Sequence, residues 1–240
     1  MSGPLTTELT SRTIIAPGIA DLLFQVRTPE KFAFAAGQFV SIAVPDHNGV
    51  AISIPRRSYS IASRSDLGQT LRFIIRVIHG GAASEYLMSL PLGATVAMTG
   101  PHGFFVLDPS HAGDVVFGAT GTGVAAVMPM MGELERRQEP GRRLLYWGMR
   151  HETDLFAYDE IRALAKDAGV DLRVHLTAPS PAWTGREGRI TAAILTDLPT
   201  LHDPTFYLVG NGAMIVELKR ELIARGINRK KQIRTEAFFD

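Results

Sequence analysis

The sequence predicts two domains in series: an antiparallel β-barrel over residues 1–103, then an α/β domain with a parallel sheet over residues 113–240. Three observations carry that expectation. Short β-type runs separated by turn signals fill the chain to about residue 100, the pattern of a small barrel. The rhythm then changes to strand, helix, strand, which argues for a parallel sheet with helices on its faces. At the first strand-to-helix junction of this second half stands Gly121-Thr122-Gly123.

The candidate strands of the first half are 22–26, 38–44, 59–62, 71–78 and 94–99. Residues 84–90 read as a short helix, capped by Ser84 and ended by Pro91-Leu92-Gly93. Gly100-Pro101-His102-Gly103, followed by Asp108-Pro109, reads as the connection between domains. In the second half, 115–119, 144–147, 172–176 and 206–209 are strands. Residues 124–137, 158–168 and 213–225 are helices, and Gly169 and Gly226 end the last two. Pro129 inside the first of them predicts a kink or a later start. From Ile233 the tail begins as a strand pattern and ends in Phe238, Phe239 and Asp240.

Composition narrows the function classes. Of 240 residues 45% are apolar and 20% charged, ordinary values for a globular protein. A net charge of +1, without any lysine/arginine block, gives no case for nucleic acid. There is no apolar stretch of membrane-spanning length, and the N-terminus lacks the basic-then-apolar layout of a secretory signal. A cytoplasmic chain with no membrane partner is expected. The absence of cysteine excludes disulfides, thiolate nucleophiles and cysteine-ligated zinc or iron–sulfur clusters, so any iron–sulfur partner is a separate chain. His151-Glu152 is followed by Thr153-Asp154-Leu155 and so is not an H-E-x-x-H zinc helix; no metal site is expected.

Strand 115–119 runs into Thr120-Gly121-Thr122-Gly123-Val124-Ala125-Ala126, where Gly121, Gly123 and Ala126 fit the G-x-G-x-x-A spacing of dinucleotide folds. Glycine here permits positive φ and removes the Cβ that would block a phosphate arriving at a helix N-terminus. A tight strand–helix turn without a ligand has the same appearance. The acidic residue usually found about 20 positions on is missing, since the second strand ends at Gly148-Met149-Arg150. An ordinary dinucleotide-fold dehydrogenase is therefore disfavoured.

The first half offers a second cofactor surface at Arg57-Ser58-Tyr59-Ser60. Arg57 is a planar, always-charged fork suited to a phosphate. Tyr59 falls on the same strand face and can lay its ring on an isoalloxazine. Ser60 points the other way or turns at the strand end, within reach of flavin N5. Gly80-Gly81-Ala82-Ala83-Ser84 joins a strand to a helix N-terminus, where free backbone N–H groups suit a pyrophosphate. Singly, each has a plain reading as surface arginine, half-buried tyrosine or helix cap. Jointly, and ahead of a nucleotide turn, they favour a flavin.

At these residues the chain resembles the ferredoxin–NAD(P)⁺ reductase family, an FAD-binding barrel joined to an NAD(P)-binding domain. The motifs follow the family's order over nearly the whole chain. They are RRSYS at 56–60, GGAASEYL at 80–87, TGPHGFF at 99–105, GATGTGVAA at 118–126 and VGNGAMI at 209–215. The resemblance implies that Arg57 and Ser84 bind the FAD pyrophosphate with backbone help from Gly81, Ala82 and Ala83. Within the Ser58-containing segment, Tyr59 would stack on the flavin and Ser60 would bond its N5 region, while Arg76, Val77 and Ile78 would line the ring and ribityl chain. Gly121, Thr122 and Gly123 would hold NADPH or NADH, with Gly210, Asn211 and Met214 across its cleft. Glu236, Phe238 and Phe239 look like the family's terminal acidic-aromatic segment beside the flavin. Tyr59, Ser60 and Glu236 are thus the catalytic candidates.

Three positions depart from the family: Ala126 replaces a proline, Val209 a cysteine, and Thr177-Ala178 the pair that often reads a 2′-phosphate. Arg150, at the second strand's end, and Arg186 and Arg189, flanking the turn after Trp183-Thr184-Gly185, are the other candidates for that phosphate. The implied activity is an FAD-dependent oxidoreductase passing electrons between NAD(P)H and ferredoxin, flavodoxin or another one-electron carrier. Open alternatives are the reductase component of a multicomponent oxygenase, a free flavin or quinone reductase, and a flavin-bearing electron-transfer or regulatory subunit without turnover of its own.

Overall fold

The computed structural model describes residues 3–44, 56–110, 112–137 and 140–238. The chain divides into two compact units, Met1–Phe104 and Phe105–Asp240.

The first unit contains β1 (Gly3–Ala16), β2 (Ile19–Thr28), β3 (Phe39–Ala43), β4 (Arg56–Ser60), β5 (Thr70–Arg76), α1 (Ala82–Ser89) and β6 (Thr95–His102). These strands form one antiparallel sheet in the order β4-β3-β6-β1-β2-β5. Its two edges are joined where Ala62 N–H donates to the Arg72 carbonyl at 2.8 Å and the Ser63 hydroxyl to the Thr70 carbonyl at 2.9 Å, so the sheet closes as a barrel. Alternation explains β2: Ala20, Leu22, Phe24 and Val26 point inward and pack with Leu5, Leu9, Ile42, Phe73, Val96 and Met98.

Strand β1 was not among the expected elements. Its sequence is mostly polar, and over its first half only Leu5, Thr7 and Leu9 are buried. It is a strand because it hydrogen-bonds to β2 on one side and β6 on the other. The stretch expected to connect the domains is also partly strand, since β6 runs through Gly100-Pro101-His102. A Cβ on Gly100 would lie 3.0 Å from Val40 Cγ1, so β6 and β3 approach each other too closely there for a larger residue. The boundary falls one residue beyond Gly103: Phe104 is exposed, whereas Phe105 and Leu107 are buried with the second unit, Phe105 edge-on to Tyr207.

The second unit contains β7 (Val115–Thr120), α2 (Val124–Arg137), β8 (Arg143–Met149), α3 (Tyr158–Asp167), β9 (Val170–Leu176), β10 (Arg186–Glu187), α4 (Ile190–Asp197), β11 (Thr205–Asn211), α5 (Gly212–Ala224), α6 (Arg229–Gln232) and β12 (Ile233–Phe238). All its strand pairs are parallel, in the order β10-β9-β8-β7-β11-β12. The chain steps outward from β7 to β10 and then returns to β11 on the other side of β7. The switch point of such a sheet, between the carboxyl ends of β7 and β11, is where its ligands bind.

Helices α2 and α3 pack together, as do α4 and α5. Helix α2 continues through Pro129 without interruption. Helix α4 was not expected, because two turns give little periodic signal; it forms where Ile190 and Ile194 bury against Val116, Tyr146 and Leu208. At the opposite end of the sheet the buried Asp114 carboxylate accepts from Arg142 N–H at 2.8 Å, His202 N–H at 2.9 Å and the Arg142 guanidinium at 3.0 Å. No helix among the described residues is long and apolar enough to cross a membrane.

Candidate cofactor sites

In the first unit, β4 lies at the sheet edge with Ile42 opposite Arg57, Ser41 opposite Ser58, Val40 opposite Tyr59 and Phe39 opposite Ser60. Arg57 and Ser58 are exposed, and Tyr59 and Ser60 half-buried. Neighbouring Arg56 is engaged by the sheet, donating to Thr99 Oγ1 at 3.0 Å and Ser41 Oγ at 3.2 Å. Arg57 instead donates to the Arg56 carbonyl at 3.1 Å and keeps its fork in solvent. The Tyr59 ring packs on the barrel core, 6.3 Å from the Phe73 ring centroid. Burial pushes its hydroxyl up to about 12, against the smaller lowering pull of Arg57.

The turn from β5 into α1 differs from expectation in two ways. Ser84 is not the helix cap: Gly81 occupies that position, and Ser84 is the third helical residue and buried. Its hydroxyl accepts from Ile78 N–H at 3.0 Å and faces the carbonyls of Ile78 and Gly81, both at 3.1 Å, so it fastens the turn from inside. Gly81 uses its own N–H on the Ile78 carbonyl at 2.9 Å. A Cβ there would lie 2.9 Å from Ile78 Cβ, so the tightness of the turn requires glycine. The first-turn amides of Ala82, Ala83 and Ser84 remain, with no acceptor inside their helix. Arg76 and Ile78 are exposed beside them, and Val77 packs on the barrel core. An exposed guanidinium, three such amides and a half-buried aromatic ring fit a pyrophosphate joined to a flat ring system.

In the second unit, the expected glycines divide their roles. Gly121, at φ +56°, opens a 3₁₀ turn over Gly121–Gly123, and a Cβ on it would meet nothing within 4 Å. Glycine is required there by the backbone, and the space in front of it is open. At Gly123 a Cβ would lie 2.9 Å from the Val209 carbonyl oxygen and 3.1 Å from Gly210 Cα, so this glycine serves the contact with β11. Gly210, at φ +112°, would place a Cβ 2.5 Å from both Thr120 O and Thr120 Oγ1. Asn211 caps α5, its Oδ1 accepting from Met214 N–H at 3.1 Å. The structure thus gathers Gly121, Thr122, Gly123, Gly210, Asn211 and Met214 at the switch point.

Strand β12 brings further candidates to the same edge. Its parallel register sets Glu236 opposite Val209, Ala237 opposite Gly210 and Phe238 opposite Asn211. Phe239 and Asp240 lie outside the described residues. Arg150 follows the end of β8, Arg186 opens β10 and Arg189 precedes α4; all three are exposed along the carboxyl edge. The Trp183 indole N–H donates to the Arg186 carbonyl at 3.1 Å and holds that loop.

Three residues at this edge escaped the sequence reading. The Thr120 hydroxyl oxygen accepts the Asn211 N–H, and the Trp147 indole N–H donates to the Gly121 carbonyl at 3.1 Å. The Glu152 carboxylate accepts from Ser180 N–H at 2.9 Å and from its hydroxyl at 2.5 Å; the hydroxyl chiefly holds this carboxyl below its usual value. An acid shortly after the second strand was a usable signal for Glu152. Thr120 and Trp147 become informative only once strand pairing is known.

Two family profiles cover most of the chain: the oxidoreductase FAD-binding domain matches residues 6–107, and the oxidoreductase NAD-binding domain residues 117–220. Ferredoxin–NADP reductase B of Sorangium cellulosum (strain So ce56) is 33% identical over 192 residues, which are 80% of this chain and 77% of that protein. Methane monooxygenase component C of Methylosinus trichosporium is 37% identical over 134 residues, 55% of this chain and 37% of that longer protein. Among solved structures, an Amycolatopsis cytochrome P450 reductase superposes with a TM-score of 0.85 at 28% identity, over 99% of this chain and 70% of the other. With both of its units matched in order, the chain belongs to the ferredoxin–NAD(P)⁺ reductase family of FAD- and NAD(P)-binding oxidoreductases.

Proposed function

We propose that the protein passes electrons between NAD(P)H and a separate one-electron carrier of the ferredoxin or flavodoxin type, through an FAD held by the barrel. The observation that carries this reading is the open, positive-φ turn at Gly121, set at the switch point of a parallel sheet in a chain whose other half is a flavin-binding barrel. A bound flavin supplies the exchange between two-electron and one-electron chemistry.

The protein's residues supply placement. Arg57 and the amides of Ala82, Ala83 and Ser84 would bind the pyrophosphate, Ser84's hydroxyl and Gly81 acting through the shape of the turn. Tyr59 would lie against the ring, Ser60 would bond its N5 side, and Ser58, Arg76, Val77 and Ile78 would line the remainder. With its hydroxyl pushed up to about 12, Tyr59 stays neutral at physiological pH and presents an uncharged ring. Gly121, Thr122 and Gly123 face the nicotinamide nucleotide from one side, and Gly210, Asn211 and Met214 from the other. Glu236 and Phe238 stand in register with Val209 and Asn211, beside the nucleotide turn. Arg150, Arg186 and Arg189 are the candidates for a 2′-phosphate, and both coenzymes are expected to react.

A second reading, reductase component of an oxygenase system, is favoured by the Trp183-Thr184-Gly185-Arg186 turn, which resembles that of NADH-using oxygenase reductases, and by Ala178 where the pair that reads a 2′-phosphate has its arginine. Likeness to methane monooxygenase component C and to a cytochrome P450 reductase supports it. These 240 residues contain no cysteine, so an iron–sulfur carrier lies outside them. Anaerobic addition of NADH or NADPH to the FAD-loaded protein is expected to bleach the flavin, and an added ferredoxin or flavodoxin to restore its colour. A flavin that neither coenzyme bleaches would overturn the proposal; bleaching followed by transfer to an oxygenase component alone would select the second reading.

A further inference from the structure

Trp147 stands on β8 in register with Ala119 of β7 and is completely buried. Its ring meets Phe156 edge-on, with centroids 5.4 Å apart and planes at 76°. An indole is a donor only, and a buried one needs an acceptor. Trp147 finds it two residues beyond its register partner: the Nε1–H donates to the Gly121 carbonyl at 3.1 Å.

That carbonyl belongs to the peptide joining Gly121 to Thr122. Among the described residues the cis peptide bonds are Thr28-Pro29 and Gly100-Pro101, so the Gly121–Thr122 bond is trans. In a trans peptide the C=O and the following N–H point in opposite directions. Drawing the Gly121 oxygen toward the buried indole therefore turns the Thr122 N–H away from the core. As a first-turn amide, Thr122 N–H has no acceptor within its own turn. Gly121 itself sits at φ +56° with open space where a Cβ would be, so no side chain of its own stabilises this peptide orientation.

We infer that Trp147 is a positioning residue for the coenzyme: its indole N–H sets the Gly121–Thr122 peptide so that the Thr122 amide is presented to a nucleotide phosphate. This rests on the reading that the Gly121–Gly123 turn binds NAD(P)H. A space-filling role alone asks only for a large aromatic ring, which phenylalanine supplies. The N–H is the part phenylalanine lacks.

The test compares FAD-loaded wild type with Trp147→Phe, measuring Kd for NAD⁺ and NADP⁺ by calorimetry beside flavin content, kcat and KM. Loss of this one donor is expected to raise Kd and KM about fivefold to tenfold. Flavin content should match wild type, and kcat at saturating coenzyme should be retained. Site-specific replacement of Trp147 by benzothienylalanine keeps the bicyclic shape and deletes only the N–H, so it gives the same comparison if Trp147→Phe does not fold. Coenzyme Kd values equal to wild type in both variants overturn the inference while leaving the coenzyme reading intact. A wild-type protein that binds neither coenzyme overturns the coenzyme reading, and the inference with it.

Discussion

The Thr120 hydroxyl oxygen accepts the Asn211 backbone N–H at 2.8 Å, tying the last residue of β7 to the last residue of β11 across the switch point. The tie forms because Gly210 has no Cβ, which would lie 2.5 Å from that same hydroxyl oxygen. The two strand ends and the turn between β7 and α2 are thus one packed unit.

Gly210→Ala is therefore expected to cost more than about 2 kcal/mol, since positive φ and a backbone clash act together. Gly121→Ala meets positive φ without a clash and should cost about 1–2 kcal/mol. Denaturant melts of both variants give the comparison. Equal losses would mean that the close approach to Thr120 contributes nothing.

Arg57→Ala should lower FAD occupancy with little change in the melting temperature of the apoprotein. A charge-assisted phosphate contact disappears, while the exposed guanidinium leaves no gap in the core. Flavin-to-protein ratio after purification and after dialysis is the measurement. Full flavin retention would remove Arg57 from the pyrophosphate site.

The Asp114 carboxyl predicts how the second unit responds to acid. Burial alone would raise it, but the N–H groups of His202 and Arg142 and the Arg142 guanidinium outweigh burial and hold it below its ordinary value. A group lowered in the folded state contributes stability that is present above the unfolded value of about 3.9 and is lost as pH falls through the lower folded value. Asp114→Asn should be less stable at neutral pH and lose stability less steeply below about pH 4. Thermal melts across that range decide it; an unchanged acid limb would show that other carboxylates dominate.

Coenzyme choice turns on the exposed arginines of the carboxyl edge. If Arg189 meets a 2′-phosphate, Arg189→Ala will reduce kcat/KM for NADPH by about tenfold while changing that for NADH little, as expected for a charge-assisted contact made to one coenzyme alone. An unchanged ratio assigns the role to Arg150 or Arg186, whose alanine variants complete the comparison.

The local grammar of the chain determined much of this protein. Turn glycines, alternation in β2 and helix stops at Gly169 and Gly226 are effects of neighbouring residues, and they marked a barrel followed by a parallel α/β unit. The motifs marked both candidate cofactor segments for the same reason: phosphate-binding turns need particular residues within a few positions of each other. Tertiary structure decided what depends on residues far apart. The polar β1 became a strand because β2 and β6 flank it. Ser84 turned inward to hold Ile78 rather than cap its helix. Gly123 proved to serve β11, and Trp147 to hold the carbonyl of Gly121. Thr120 and Asn211 are 91 positions apart, and only strand register, set by burial on both faces of the sheet, makes them neighbours.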